Sequence, residues 1–202
     1  MEPSGWNVVV LGAWNRAILT PAWIAEIVLD LPKGSPIEVL VPLDALVTSF
    51  QVRHSGLIVI PNHDQLLVQV EKGSVESLGK AMAAMRRAID ALPRTPLQAC
   101  GINIRYVSPE PGDSLVDRTR SKTEELLSER GYEVRVRRRG ETMTFKEGTL
   151  SFIADIPTTG ETTLTFNFER QSATPDDTLC WLSRPASEYV KEAEKVLLLV
   201  AD

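Results

Sequence analysis

The chain has 202 residues, of which 27 are acidic and 22 basic, for a formal charge of −5. That length is one large domain or two joined halves, and 43% hydrophobic with 24% charged residues is globular usage, not disorder. The acidic balance argues against a cationic body built for nonspecific DNA binding, so any nucleic-acid contact needs a local basic patch.

The N-terminus, Met1-Glu2-Pro3-Ser4-Gly5, lacks the basic-then-apolar pattern of a leader. No stretch approaches about 20 uncharged apolar residues, so no spanning helix is expected. A cytoplasmic location is the expectation.

In chain order, Val8 to Leu11 is an apolar run that reads as a strand. Thr20-Pro21 signals a helix start, with Trp23, Ile24, Ile27, Val28 and Leu31 at helical spacing and Pro32 as the stop. Ile37 to Leu43 is the next strand, and Pro42 near its end argues for an edge or a bulge. Leu57 to Ile60 and Leu66 to Val70 form a hairpin across Pro61-Asn62-His63-Asp64.

Ser74 caps a helix whose stripe is Val75, Leu78, Met82, Met85, Ile89 and Leu92, closed by Pro93. Leu97 to Val107 is a long strand, with Cys100, Ile102, Ile104 and Tyr106 on one face. After Pro109-Glu110-Pro111-Gly112, Asp113 or Ser114 starts a polar helix to about Arg130, with Gly131 as a left-handed cap and Arg120 paired to Glu124.

Strands follow at Glu133 to Arg139, Thr142 to Lys146, Thr149 to Ile156 and Thr162 to Glu169. Arg139-Gly140-Glu141 and residues 157–161 serve as turns. The last helix begins near Pro185 and presents Tyr189, Val190, Ala193, Val196, Leu197 and Val200.

This order predicts an α+β fold: antiparallel curved sheet with helices packed on one face. The strands-then-helix pattern occurs at 37–92 and again at 132–200, so two similar halves, 1–108 and 109–202, are expected within one compact unit.

Two segments look familiar: Trp6-Asn7-Val8-Val9-Val10-Leu11-Gly12 through Thr20-Pro21-Ala22-Trp23, and Gly101-Ile102-Asn103-Ile104-Arg105-Tyr106. With them the chain resembles a sporadically distributed group of uncharacterised bacterial proteins with no known activity. The likeness covers the first half, and the second half in element order only. It implies a bacterial or phage origin and transfers no catalytic residue.

Catalytic signatures are sparse. His54 and His63 lie toward opposite ends of the strand 57–60, which keeps them from sharing one metal. His63 beside Asp64 is an acid–base pair or a solvated turn. No GxSxG elbow, Walker loop or dinucleotide fingerprint occurs. Cys100 and Cys180 lack metal spacing and read as free thiols.

Asp176-Asp177 is a candidate carboxylate pair for a small hydrolase, which would need both groups facing a cleft. No cofactor or metal is expected, and catalysis is not favoured.

Interaction candidates are more conspicuous. Trp14 and Arg16 lie between the first strand and first helix; an exposed Trp14 would be a contact hot spot, and a buried one core. Arg135, Arg137 and Arg139 are placed on the outer face of one strand, with Val134 and Val136 inward. That ribbon fits phosphates, or it pairs with Glu147, Asp155 and Glu169. The run Val196-Leu197-Leu198-Leu199-Val200 is apolar nearly all round, as in a helix covered by core or partner.

The reading is therefore a non-catalytic protein-interaction or binding module with a protein partner or homo-oligomer, in a bacterial defence or toxin-related setting. Nucleic-acid binding through the arginine strand and a carboxylate/His hydrolase are the alternatives.

Overall fold

In a computed structural model, residues 1–42, 50–109, 115–116, 121–171 and 174–201 are described. They form a ten-stranded, wholly antiparallel, open and curved sheet with helices against one face.

The strands are β1 (Glu2–Pro3), β2 (Asn7–Gly12), β3 (Glu38–Leu40), β4 (Gln51–His54), β5 (Leu57–Pro61) and β6 (Gln65–Val70), then β7 (Leu97–Ser108), β8 (Val136–Phe145), β9 (Gly148–Pro157) and β10 (Thr162–Gln171). Their spatial order is β3-β4-β5-β6-β2-β7-β10-β9-β8, with β1 extending the β2 side of β7. The sheet is continuous across β7 and β10, where Leu164 lies opposite Tyr106 and Phe166 opposite Ile104.

Period-two alternation sorts the faces. Val8 and Val10, Leu66 and Val68, Ile102 and Ile104, Phe166 and Phe168, and Phe152 and Ala154 are all buried on the helix side. The opposite face carries a polar row in register: Gln69, Asn7, Asn103, Asn167, Ser151 and Thr142. Asn103 donates to Asn7 Oδ1 across it at 2.8 Å.

Helix α1 (Pro21–Trp23) starts at Thr20, whose hydroxyl accepts from the Trp23 amide. It widens over Ile24–Val28, where the Leu29 amide reaches the Ile24 carbonyl five residues back. The helix stops before Leu31 because Asp30 turns left-handed (φ 57°).

Helix α2 (Val75–Ala91) has the expected cap, a reciprocal Ser74/Ser77 box, and buries Leu78, Met82, Met85 and Ile89. Each such side chain contributes about 1.5–3 kcal/mol of burial. Helices α3 (Lys122–Glu129), α4 (Pro175–Leu182) and α5 (Ala186–Ala201) complete the described set.

Several expectations change. Strand β4 was not expected; it pairs with β5 through Ser55-Gly56, both at positive φ (48° and 79°), a tight hairpin turn. Strand β3 is shorter than expected and is an edge, consistent with Pro42, while Leu43 lies outside the described residues. The start of the polar helix at Asp113 or Ser114, and Arg120, also lie outside them. Helix α3 begins at a Ser121 cap and ends before Gly131 (φ 81°).

The largest correction concerns β8. Arg139-Gly140-Glu141 is not a turn but the middle of one ten-residue strand. The reversal comes at Lys146-Glu147, between the paired Phe145 and Gly148, with Lys146 at φ 54°.

Candidate interaction edge

Strand β8 closes one end of the sheet: it pairs with β9 on one side, and among the described residues no strand pairs with its other side. A strand edge of this kind presents unpaired amides and carbonyls in a row.

Its two ends are held firmly. Phe145 packs among Phe168, Trp181 and Tyr189 with ring centroids 4.9, 5.9 and 5.8 Å away. The Tyr189 hydroxyl donates to the Trp181 carbonyl at 2.7 Å, fixing α5 on α4. The hairpin tip is tied down by ions: Glu147 pairs with Arg184 and Arg170, and Arg170 with Asp177 at 2.8 Å. At the other end, Arg137 is clamped by Glu124 of α3.

The centre is different. Arg138, Arg139, Gly140, Glu141 and Thr142 are all exposed. Arg139 pairs with Glu141 at 2.8 Å on the helix side of the sheet, and Arg138 with Asp155 at 2.7 Å on the other.

Beside the centre lies a cavity of about 370 Å³, lined by Arg139, Glu141, Met143 and Phe152 from the sheet and Val196, Leu199 and Val200 from α5. The last turns of α5 are only partly covered. Val196 is buried and Leu197 and Val200 pack on the core, while Leu198 and Leu199 stay 60% and 67% exposed.

The arginines thus do not share one outer face. Because β8 runs straight through 139–141, Arg137 and Arg139 lie opposite Ile156 and Ala154 on the helix side, and Val136 is exposed. Arg138 takes the outer face, and Arg135, exposed, precedes the strand and offers its carbonyl to Thr158. A phosphate-gripping row is not formed, since Arg137, Arg138 and Arg139 each meet a carboxylate.

Trp14 is core: it is 2% exposed and its indole N–H donates to the Val10 carbonyl at 3.0 Å. The exposed hot-spot alternative is thereby corrected, and Arg16 sits half-exposed in the adjoining loop.

The hydrolase candidates have local structural partners. The His63 carbonyl accepts from the Trp14 amide, so this turn anchors backbone. Asp176 is exposed in the first turn of α4. Asp177 is held below the usual carboxylate range by the Thr174 hydroxyl and then by Arg170. Among the described residues no three His, Cys, Asp or Glu side chains gather as a metal site. Cys100 is buried and Cys180 exposed, both as free thiols.

No protein-family model matches the chain, and no curated protein matches it. No described helix is long and apolar enough to cross a membrane.

Sequence reasoning missed Gly140, Glu141 and Met143 as parts of one surface. The signal that finds them is Phe145-Lys146-Glu147-Gly148, a two-residue connection between runs of alternating residues.

Proposed function

We propose that the protein is a non-catalytic interaction module that binds an extended protein segment along the outer edge of β8, against the apolar side of α5. The observation that carries this reading is the middle of β8: a strand anchored at both ends, paired on one side only among the described residues, and flanked by a cavity that exposed Leu199 of α5 helps to line. Adding a strand to an open edge supplies backbone hydrogen bonds, and a neighbouring apolar groove supplies selectivity.

The likeness to uncharacterised bacterial proteins makes a bacterial defence or toxin-related setting part of the proposal. A nucleic-acid role is supported less well, because three of the four arginines at 135–139 are neutralised by carboxylates. A cytoplasmic location is kept with the proposal.

The test places a photoreactive p-benzoylphenylalanine at Thr142, exposed at the centre of β8, and irradiates living cells. Covalent protein adducts at this position, absent when the probe sits at exposed Glu129 on α3, are expected. Irradiation that yields no protein adduct from position 142 overturns the reading.

A further inference from the structure

We infer that the segment received by β8 is β8 of a second copy of this chain, antiparallel about a two-fold axis through Gly140. This rests on the proposal that β8 is the binding edge and names the occupant.

Hydrogen-bond parity comes first. Phe145 and Gly148 flank the two-residue turn, so in β8 the odd residues exchange bonds with β9. The even residues, Val136, Arg138, Gly140, Thr142 and Thr144, then turn their amides and carbonyls outward. A two-fold at Gly140 matches even to even and forms on the order of ten inter-strand bonds.

Charge selects the register. About Gly140, Arg139 faces Glu141 of the second copy and Glu141 faces its Arg139, on the side of the sheet that carries the cavity. Arg138 faces Thr142 and Arg137 faces Met143, so no like charges oppose one another. Sliding the axis one residue either way sets Arg139 against Arg139, or Glu141 against Glu141, both unfavourable.

Gly140 is an independent clue. Its φ is not positive, and an added Cβ would meet only Phe152 O at 3.7 Å and Ile153 Cγ1 at 3.8 Å, ordinary contact. Among the described residues nothing requires glycine there. A glycine inside a strand often marks a bulge, a bend or the close approach of another backbone, and β8 pairs with β9 through Gly140 with no register shift. The same axis sets the two α5 helices on one face of the joined sheet, one on either side of the seam, with Leu199 of each lining the cavity beside it.

The test exchanges charges. Arg139→Glu sets carboxylate against carboxylate across the seam, and Glu141→Arg sets guanidinium against guanidinium. Each variant alone is therefore expected as a monomer of 22.3 kDa by light scattering. Mixed in equal amounts they restore both opposite-charge pairs, and the mass is expected to double; a fold damaged by either substitution cannot produce that recovery. A monomeric wild type, or variants that stay monomeric on mixing while the wild type is dimeric, overturns the inference. With a monomeric wild type, adducts from Thr142 to other proteins leave the interaction reading standing without the second copy.

Discussion

Arg137 and Glu124 fasten the start of β8 to α3: the guanidinium Nε donates to both carboxylate oxygens at 2.8 Å, and a terminal nitrogen adds a further bond. With side chains only 16% and 12% exposed, the Arg137 guanidinium loses its carboxylate partner in a largely desolvated position when Glu124 is removed. Glu124→Ala is expected to lower stability by about 1–3 kcal/mol in urea unfolding. Glu124→Leu with Arg137→Met is expected to recover most of that, since an apolar pair of similar size strands no charge. A double variant as unstable as the single one contradicts this account.

Acid acts at the other end of the hairpin. Asp177 is depressed by Thr174 and Arg170, and Glu147 by its own backbone amide and then by Arg184 and Arg170. Folding lowers both values, so their contribution is complete above the unfolded values, near about pH 4–4.5, and is lost as pH falls through the lower folded ones. The urea midpoint is expected to hold from pH 7 to about 5 and to fall below about 4. Asp177→Asn is expected to flatten part of that fall, and an identical acid profile in this variant counts against the assignment.

Tyr106 packs edge-on to Trp6 and Phe166, its phenol pushed up to about 12 by burial and then by Glu194. Its hydroxyl is buried without a hydrogen-bond partner among the described residues. Tyr106→Phe is therefore expected to leave stability unchanged or raise it by about 1 kcal/mol. A loss beyond about 1 kcal/mol on chemical denaturation means the hydroxyl has a partner.

Trp14 and Arg16 separate structure from surface. Trp14→Ala is expected to cost about 3–5 kcal/mol through lost packing. Arg16→Ala is expected to stay within about 0.5 kcal/mol. Equal costs by thermal unfolding contradict the core assignment of the indole.

Much of the fold was legible where burial is one-sided. The alternation of Cys100, Ile102, Ile104 and Tyr106, and the stripe from Val75 to Leu92, each point at one core, and the structure buries them except Val75, which is exposed, and Leu92, which is half-buried.

Where polar residues carry two readings, the sequence misled. Thr174-Pro175-Asp176-Asp177 suggests a loop with acids, yet the Thr174 hydroxyl caps α4 by accepting from the Asp177 amide, and it donates to the Asp177 carboxylate. The face of the arginines is lost through two valines: Val134 and Val136 suggest the inward face, but Val136 is exposed and the alternating Arg137 and Arg139 lie on the helix side. Charge pairing across β8 and the exposure of Leu198 and Leu199 depend on where distant elements pack, which local pattern does not encode.

The most direct measurement is the solution mass of the unaltered chain by size-exclusion with light scattering over a range of concentrations. The account expects twice the 22.3 kDa chain mass, lost in Arg139→Glu. A mass of 22.3 kDa at every concentration contradicts a second copy at the β8 edge.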